Sequence, residues 1–322
     1  MARVAVVTGS NKGIGFEIVK RLCQQFDGHV YLTARDPAKV QSAVSKLEAE
    51  GMHPKYYQLD VTSQDSVEKL KGHLVQTYGG IDVLVNNAGI MYNSRSSLPP
   101  IEQASLTIAT NFTGTLRLTK ALLPLTRPHA RIVNVSSIMG GLKSFRGRSL
   151  LDKFTNPNLT EEELVELMDQ FVDDVKEGRH KEKGWPQNSY GGSVVGTSAY
   201  MVSKAGVIAL TKVYAREAAR LGKDDVLVNA CCPGWCQTDM SSGSKAPFTA
   251  AQGAETPVHL ALLPPGSPTG EFWRDKTVAV CILSNESPPQ NAIPPKGVEI
   301  HNDDAKKKTT SLAIDGMHQL TL

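Results

Sequence analysis

Several things are scarce in this sequence, and each scarcity removes a class of function. Charge imbalance is one: over 322 residues the formal net charge is only +3, too small a field to imply a nucleic-acid or membrane partner. Long apolar runs are another, because no stretch approaches the ~18 uninterrupted apolar residues that a membrane span needs. The start, "MARVAVVTGS", has neither the apolar region nor the cleavage site of a secretory signal. Cysteines number five, an odd count that suits reduced thiols better than a disulfide framework, and a cytoplasmic location is expected. Cys231, Cys232 and Cys236 cluster. Adjacent cysteines do not easily face one ion, and no histidine lies near them in sequence, so no metal is expected.

What is present is the balance of a globular protein, 40% hydrophobic and 21% charged. "RVAVVT", "HVYLT", "YYQLD", "DVLVN" and "RIVNVS" are short, β-branched and nearly continuous in hydrophobicity, as strands buried on both faces of a parallel sheet must be. Helical stretches separate them. "SVEKLKGHLVQTYG" places Val67, Leu70, Leu74 and Tyr78 on one stripe. Strand and helix alternating in this way predict a doubly wound parallel α/β sheet of Rossmann type, since parallel neighbours need right-handed crossovers. Further on, "AYMVSKAGVIALTKVYAREAARLG" reads as a long helix and "VLVNACC" as a sixth inner strand.

One segment breaks the rhythm. About 140–196 an insertion precedes the long helix. Within it Thr160 and Glu163 form a capping-box pattern, and Leu164, Leu167, Met168, Phe171, Val172 and Val175 recur at helical spacing. That apolar face fits either core packing or a partner. The domain is expected to span 1–282, with 283–322, rich in Pro, Asn and charge, as a flexible tail.

"TGSNKGIG" follows the first strand and opens the first helix, the context of a dinucleotide site. Gly9 suits a tight turn, Gly13 a close backbone approach, and Gly15 the packing of helix on sheet. Amides at the helix start would face a pyrophosphate. At the end of the second strand an NAD site would carry an acid. Here "YLTARDP" offers Ala34 and Arg35, while Asp36 and Pro37 read as the start of the next helix. Arg35 with Lys12 suits the 2′-phosphate of NADP, so NADPH is the expected cofactor.

"TGSNKGIG", "NNAG" at 86–89, "TNF" at 110–112, "NVSS" at 134–137, "YMVSK" and "CCPGW" occur in the order and context of the short-chain dehydrogenase/reductases. The resemblance covers roughly residues 3–275. "TARD", "YGGIDVLVNNAGI", "TEEELVELM", "KGWP" and "GAETPVHLALLPP" look more particularly like the monomeric carbonyl reductases of animals, whose inserted helix precedes the catalytic tyrosine.

The resemblance implies a catalytic group of Asn111, Ser137, Tyr200 and Lys204. Tyr200 would donate a proton, Lys204 would lower the phenol's pKa, Ser137 would hold the substrate oxygen, and Asn111 would hold a water in the relay. Tyr200 and Lys204, four positions apart, would be neighbours on a helix. It also implies cofactor contacts from Gly9, Asn11, Lys12, Gly13, Ile14, Gly15, Arg35, Asp60, Val61, Asn87, Ala88, Gly89, Pro233, Gly234 and Thr238, together with Tyr200 and Lys204. Met139, Trp235 and Met240 would wall an apolar substrate pocket, although ordinary packing residues would read the same way.

The expected activity is NADPH-dependent reduction of ketones, aldehydes and quinones by a monomer. Rival readings are a dehydrogenase for one secondary alcohol or steroid, and a catalytically silent NADP-binding sensor. Two features depart from the pattern: the stretch "QNSYGGSVVG" at 187–196, which brings a second tyrosine, Tyr190, and the long tail.

Overall fold

Strands that are continuous in Val, Ile and Leu need cover on both faces, and the computed structural model supplies it. It describes residues 1–92, 96–187, 194–223, 225–241 and 245–279. The elements run β1 (Val4–Val7), α1 (Gly13–Gln25), β2 (His29–Ala34), α2 (Pro37–Ala49), β3 (Lys55–Gln58), α3 (Gln64–Tyr78), β4 (Ile81–Asn86) and α4 (Pro100–Ile108). They continue with α5 (Gly114–Leu122), β5 (Thr126–Val135), α6 (Arg148–Thr155), α7 (Glu161–Lys176), α8 (Val194–Arg220) and β6 (Leu227–Cys232). Last come α9 (Ala250–Gly253), α10 (Glu255–Ala261), β7 (Phe272–Arg274) and β8 (Thr277–Val278).

The sheet order is β3-β2-β1-β4-β5-β6-β7-β8. Every pairing is parallel except that of β7 with β8. The chain steps outward from β1 to β3, crosses back to β4 and winds the other way, which is the doubly wound architecture. All six expected strands form, and each face carries its own apolar cluster. The short pair β7 and β8 is an addition that the sequence does not announce. The tail, Tyr190 and the boundary at 282 lie outside the described residues.

A polar seam runs through one of these buried layers. Asn86 Nδ2 donates to Thr119 Oγ1 at 3.0 Å and to Asn134 Oδ1 at 2.8 Å. Asn134 Nδ2 in turn donates to Thr211 Oγ1 at 2.9 Å. Helices α5 and α8 are thereby tied to adjacent positions of β4 and β5, with these amide groups paired as buried polar groups must be.

The inserted helix is a core helix. Leu164, Leu167, Met168, Phe171 and Val175 are buried, whereas Val172 is only half-buried at the edge of the stripe. The Glu161 carboxylate receives hydrogen bonds from Lys120 on α5 and Tyr214 on α8, at 2.6 and 2.7 Å, so the start of α7 is fixed from both sides. The capping box forms as expected: Thr160 Oγ1 accepts from the Glu163 amide at 3.1 Å, and Glu163 Oε2 from the Thr160 amide at 2.9 Å. Thr160→Ala should therefore lower stability by about 1 kcal/mol. An unchanged denaturant midpoint would contradict this.

Candidate active site

The carboxyl ends of β1, β2, β4, β5 and β6 face one cleft of about 670 Å³, where ligands bind in folds of this type. Every expected cofactor residue lines it except Gly234. Gly234 instead turns the chain against the ring of Phe248, which would lie 3.0 Å from a Cβ at that position. Ser137 and Asn111 are not among the lining residues, although Ser137 adjoins the cleft through its hydrogen bond with the Tyr200 phenol.

The glycine loop is pressed onto the end of β4. A Cβ on Gly15 would stand 2.4 Å from Asn87 Nδ2 and 2.6 Å from the Gly9 carbonyl oxygen. Gly15 therefore lets the first turn of α1 press against the loops that follow β1 and β4, rather than against the strands themselves as expected. Asn87 is the brace: its Nδ2 donates to the carbonyls of Thr8 and Gly9 at 2.9 and 3.0 Å, and its amide to Thr8 Oγ1 at 2.9 Å. Its side-chain N–H groups shape the loop that would hold the cofactor. Asp60 behaves similarly, accepting from the amide and hydroxyl of Thr62 at 2.9 and 2.7 Å.

These residues fit a dinucleotide. No side chain caps the start of α1, which leaves its first amides pointing toward a pyrophosphate. Arg35 lines the cleft at the end of β2, and Asp36 caps α2 by accepting from the amides of Ala38 and Lys39 at 3.0 and 3.3 Å. A cation without a competing acid at this point suits a phosphate on the 2′ position.

The catalytic candidates converge from three elements. Asn111 stands in a π-turn, Ala109–Thr113, that joins α4 to α5, a local irregularity often found at functional sites. Its Oδ1 accepts from the Ile90 amide at 2.8 Å, while Nδ2 donates to the Ile90 carbonyl at 2.9 Å and to Ser203 Oγ at 3.0 Å. The side chain thus clamps the loop after β4 to α8, and its amide is committed to positioning. Ser137 follows β5 by two residues and lies against the Tyr200 phenol, where its hydrogen bond favours the ionised form. Behind it, Ser136 Oγ donates to the Lys204 carbonyl at 2.9 Å. Gly140 lets the turn approach so closely that a Cβ would meet the Lys204 carbonyl carbon at 2.6 Å.

Lys204 Nζ lies 5.6 Å from the centre of the Tyr200 ring and donates to the Val135 carbonyl at 2.8 Å. The expected pairing is present, but its electrostatic outcome differs from expectation. Burial pushes the Tyr200 phenol up, with Cys232 adding to the rise and Ser137 opposing it. Burial also pulls the Lys204 amine down to about 8. Desolvation dominates both directions, because both groups are buried against β5 and β6 and a low-dielectric site penalises each charged form.

Of the expected apolar wall, Met240 lines the cleft, while half-buried Met139 and Trp235, 56% exposed, do not. Ile138 and Phe248 are also exposed apolar residues, flanking Ser137 and lying against Gly234 respectively. The sequence reading missed Ser136, Ile90 and Asp239; the first stands in "NVSS" and the last directly after Thr238, so motif adjacency was the available signal. Among the described residues no group of acids, histidines and cysteines could hold a metal ion.

Comparison with known proteins agrees with this geometry. The family described as short chain dehydrogenase matches residues 3–149, and that described as enoyl-(acyl carrier protein) reductase matches 188–264. Helix α7 falls between the two matches. NADPH carbonyl reductase 1 of Mus musculus is 48% identical over 280 residues, covering 85% of this chain and 97% of that protein. The solved structure of salutaridine reductase from Papaver somniferum is 33% identical with a TM-score of 0.75, covering 84% of this chain and 99% of the other. Menthone neomenthol reductase from Mentha piperita, also 33% identical, gives a TM-score of 0.69 over 84% of this chain and 98% of that one. On its matched sequence, its doubly wound sheet and the Tyr-Lys pair in its cleft, the chain belongs to the short-chain dehydrogenase/reductase family.

Proposed function

We propose that this chain catalyses NADPH-dependent reduction of ketones, aldehydes and quinones, with Tyr200 as proton donor. The observation that carries the reading is the meeting of Tyr200 and Lys204, with Ser137 beside the phenol, in a cleft that the glycine loop and Arg35 also line. NADPH, when bound, supplies the hydride. The chain's own groups manage the oxygen. Ser137 and Tyr200 present hydroxyls to it, and a positioned donor of this sort is worth ~3 to 4 kcal/mol of barrier. A phenol that burial keeps protonated is in the form required to give up a proton. Lys204 holds a positive charge beside the ring, favouring the phenolate that remains.

Helix α7 covers α8 with its apolar stripe, which supports a monomer; sedimentation showing a concentration-independent dimer would overturn that. Cys23, Cys231, Cys232 and Cys236 are free thiols, which supports a cytoplasmic location. No described helix is long and apolar enough to cross a membrane.

The direct test mixes the protein with NADPH and a panel comprising a quinone, an aromatic ketone and an aliphatic aldehyde, and follows nicotinamide absorbance. Turnover across the panel is expected. Tight NADPH binding with no turnover would instead identify a sensor. The structural likeness to salutaridine reductase and to menthone neomenthol reductase, each named for particular compounds, favours a second reading, a reductase narrow in substrate; turnover of one bulky ketone alone would select it.

A pH dependence also follows. Below about 8 the Lys204 amine is charged, and above it neutral. Because kcat/KM reports the free enzyme's groups, kcat/KM for reduction should decline as pH rises through that value. A profile flat well beyond it would remove Lys204 from the acid-base chemistry.

A further inference from the structure

The two cations suited to a 2′-phosphate keep different company. Arg35 makes no ion pair among the described residues, and the carboxylate next to it, Asp36, is engaged by the amides of Ala38 and Lys39. Lys12 Nζ, in contrast, is ion-paired with Asp239. That acid opens the turn Asp239–Ser241 on the opposite rim of the cleft. The rims also meet one residue earlier, where Thr238 Cγ2 would lie 3.4 Å from a Cβ on Gly13. Lys12 and Asp239 are 64% and 76% exposed, and the ammonium holds the Asp239 carboxyl below its usual range, so it is ionised at neutral pH.

We propose that Asp239 is a cofactor-specificity residue whose carboxylate competes with the 2′-phosphate of NADPH for Lys12, narrowing the preference for NADPH over NADH. The proposal rests on the reading of the chain as an NADPH-dependent reductase. A phosphate oxygen reaching Lys12 must displace the Asp239 carboxylate or share the ammonium with it, and a carboxylate held beside a phosphate dianion repels it. NADH has no 2′-phosphate and meets no such competition. Selectivity for NADPH then depends chiefly on Arg35, the cation with no acid on it. Asp239 offsets part of what Lys12 contributes.

The test is equilibrium binding, not turnover. Dissociation constants for NADPH and NADH are measured by nicotinamide fluorescence on the full chain, on Asp239→Asn, on Lys12→Ala and on the double variant. Asp239→Asn should bind NADPH about two- to fivefold more tightly, the effect of one exposed ion pair, with NADH affinity unchanged. The gain should shrink at high salt and vanish when Lys12 is alanine. Unchanged or weakened NADPH binding in Asp239→Asn, an equal gain for NADH, or a gain that survives without Lys12 would each overturn the proposal. Wild-type protein that binds neither dinucleotide would sink the reductase reading itself, a result distinct from an unaltered NADPH/NADH ratio in a protein that binds both. Both side chains are exposed, and matching thermal midpoints will show that the variants fold.

Discussion

Tyr200→Phe should lose carbonyl reduction by roughly a thousandfold, within the range attributed to a positioned general acid, while still binding NADPH. The variant removes one oxygen and retains the ring that packs beneath Lys204. Ser137 loses its partner but keeps its own hydrogen bond from the Met139 amide at 3.1 Å, so the end of β5 should hold its shape. Stability should change little, since the deletion removes one hydrogen bond, that with Ser137, worth about 1 kcal/mol. Single-turnover absorbance with saturating NADPH isolates the chemical step. If the variant keeps more than about a tenth of the wild-type rate, when a lost general acid costs at least about a hundredfold, the proton comes from elsewhere. Tyr190 would then be the next residue to change.

The second large effect concerns a residue with no side chain. In Gly140→Ala the new Cβ would be 2.6 Å from the Lys204 carbonyl carbon and 2.8 Å from both the Lys204 oxygen and the Ala205 nitrogen. All three are backbone atoms of a helix and have no rotamer to escape into. The seam between β5 and α8 is held on both sides of this point, by Ser136 to the Lys204 carbonyl and by Lys204 Nζ to the Val135 carbonyl. Something must part. Overpacking of this kind costs about 1 to 3 kcal/mol, and misplacing a catalytic group by about 1 Å can cost about a hundredfold in rate. We expect both a lower unfolding midpoint and a kcat reduced by about two orders of magnitude, with NADPH affinity less affected because the glycine loop is remote in sequence. Wild-type kcat in a folded Gly140→Ala protein would show that the seam has slack.

Much of the scaffold was legible in advance, for specific reasons. The inner strands advertise themselves because burial on both faces demands unbroken runs such as Val4–Val7 and Ile81–Asn86. Strands β7 and β8 do not, since three and two residues respectively are too few for any periodicity. Asp36, Thr160 and Glu163 were readable because caps are local. Roles decided by distant partners were not. Asn87 braces the glycine loop and Asn111 clamps Ile90 to Ser203, contacts that no spacing in the chain reveals. The phenol's upward shift was also hidden, because it depends on how deeply the Tyr-Lys pair sits against β5 and β6, and a motif carries no depth.

The amide seam of Asn86 and Asn134 has a consequence for how this scaffold can change. A slip of β4 against β5 by one residue would strand hydrogen-bonding groups in oil on both strands at once, so the floor of the reaction chamber admits a single alignment. Of the loops above that floor, those not pinned to it as Asn87, Asn111 and Gly140 pin theirs are the ones free to change. Diversification of what the chamber accepts is thereby confined to its roof.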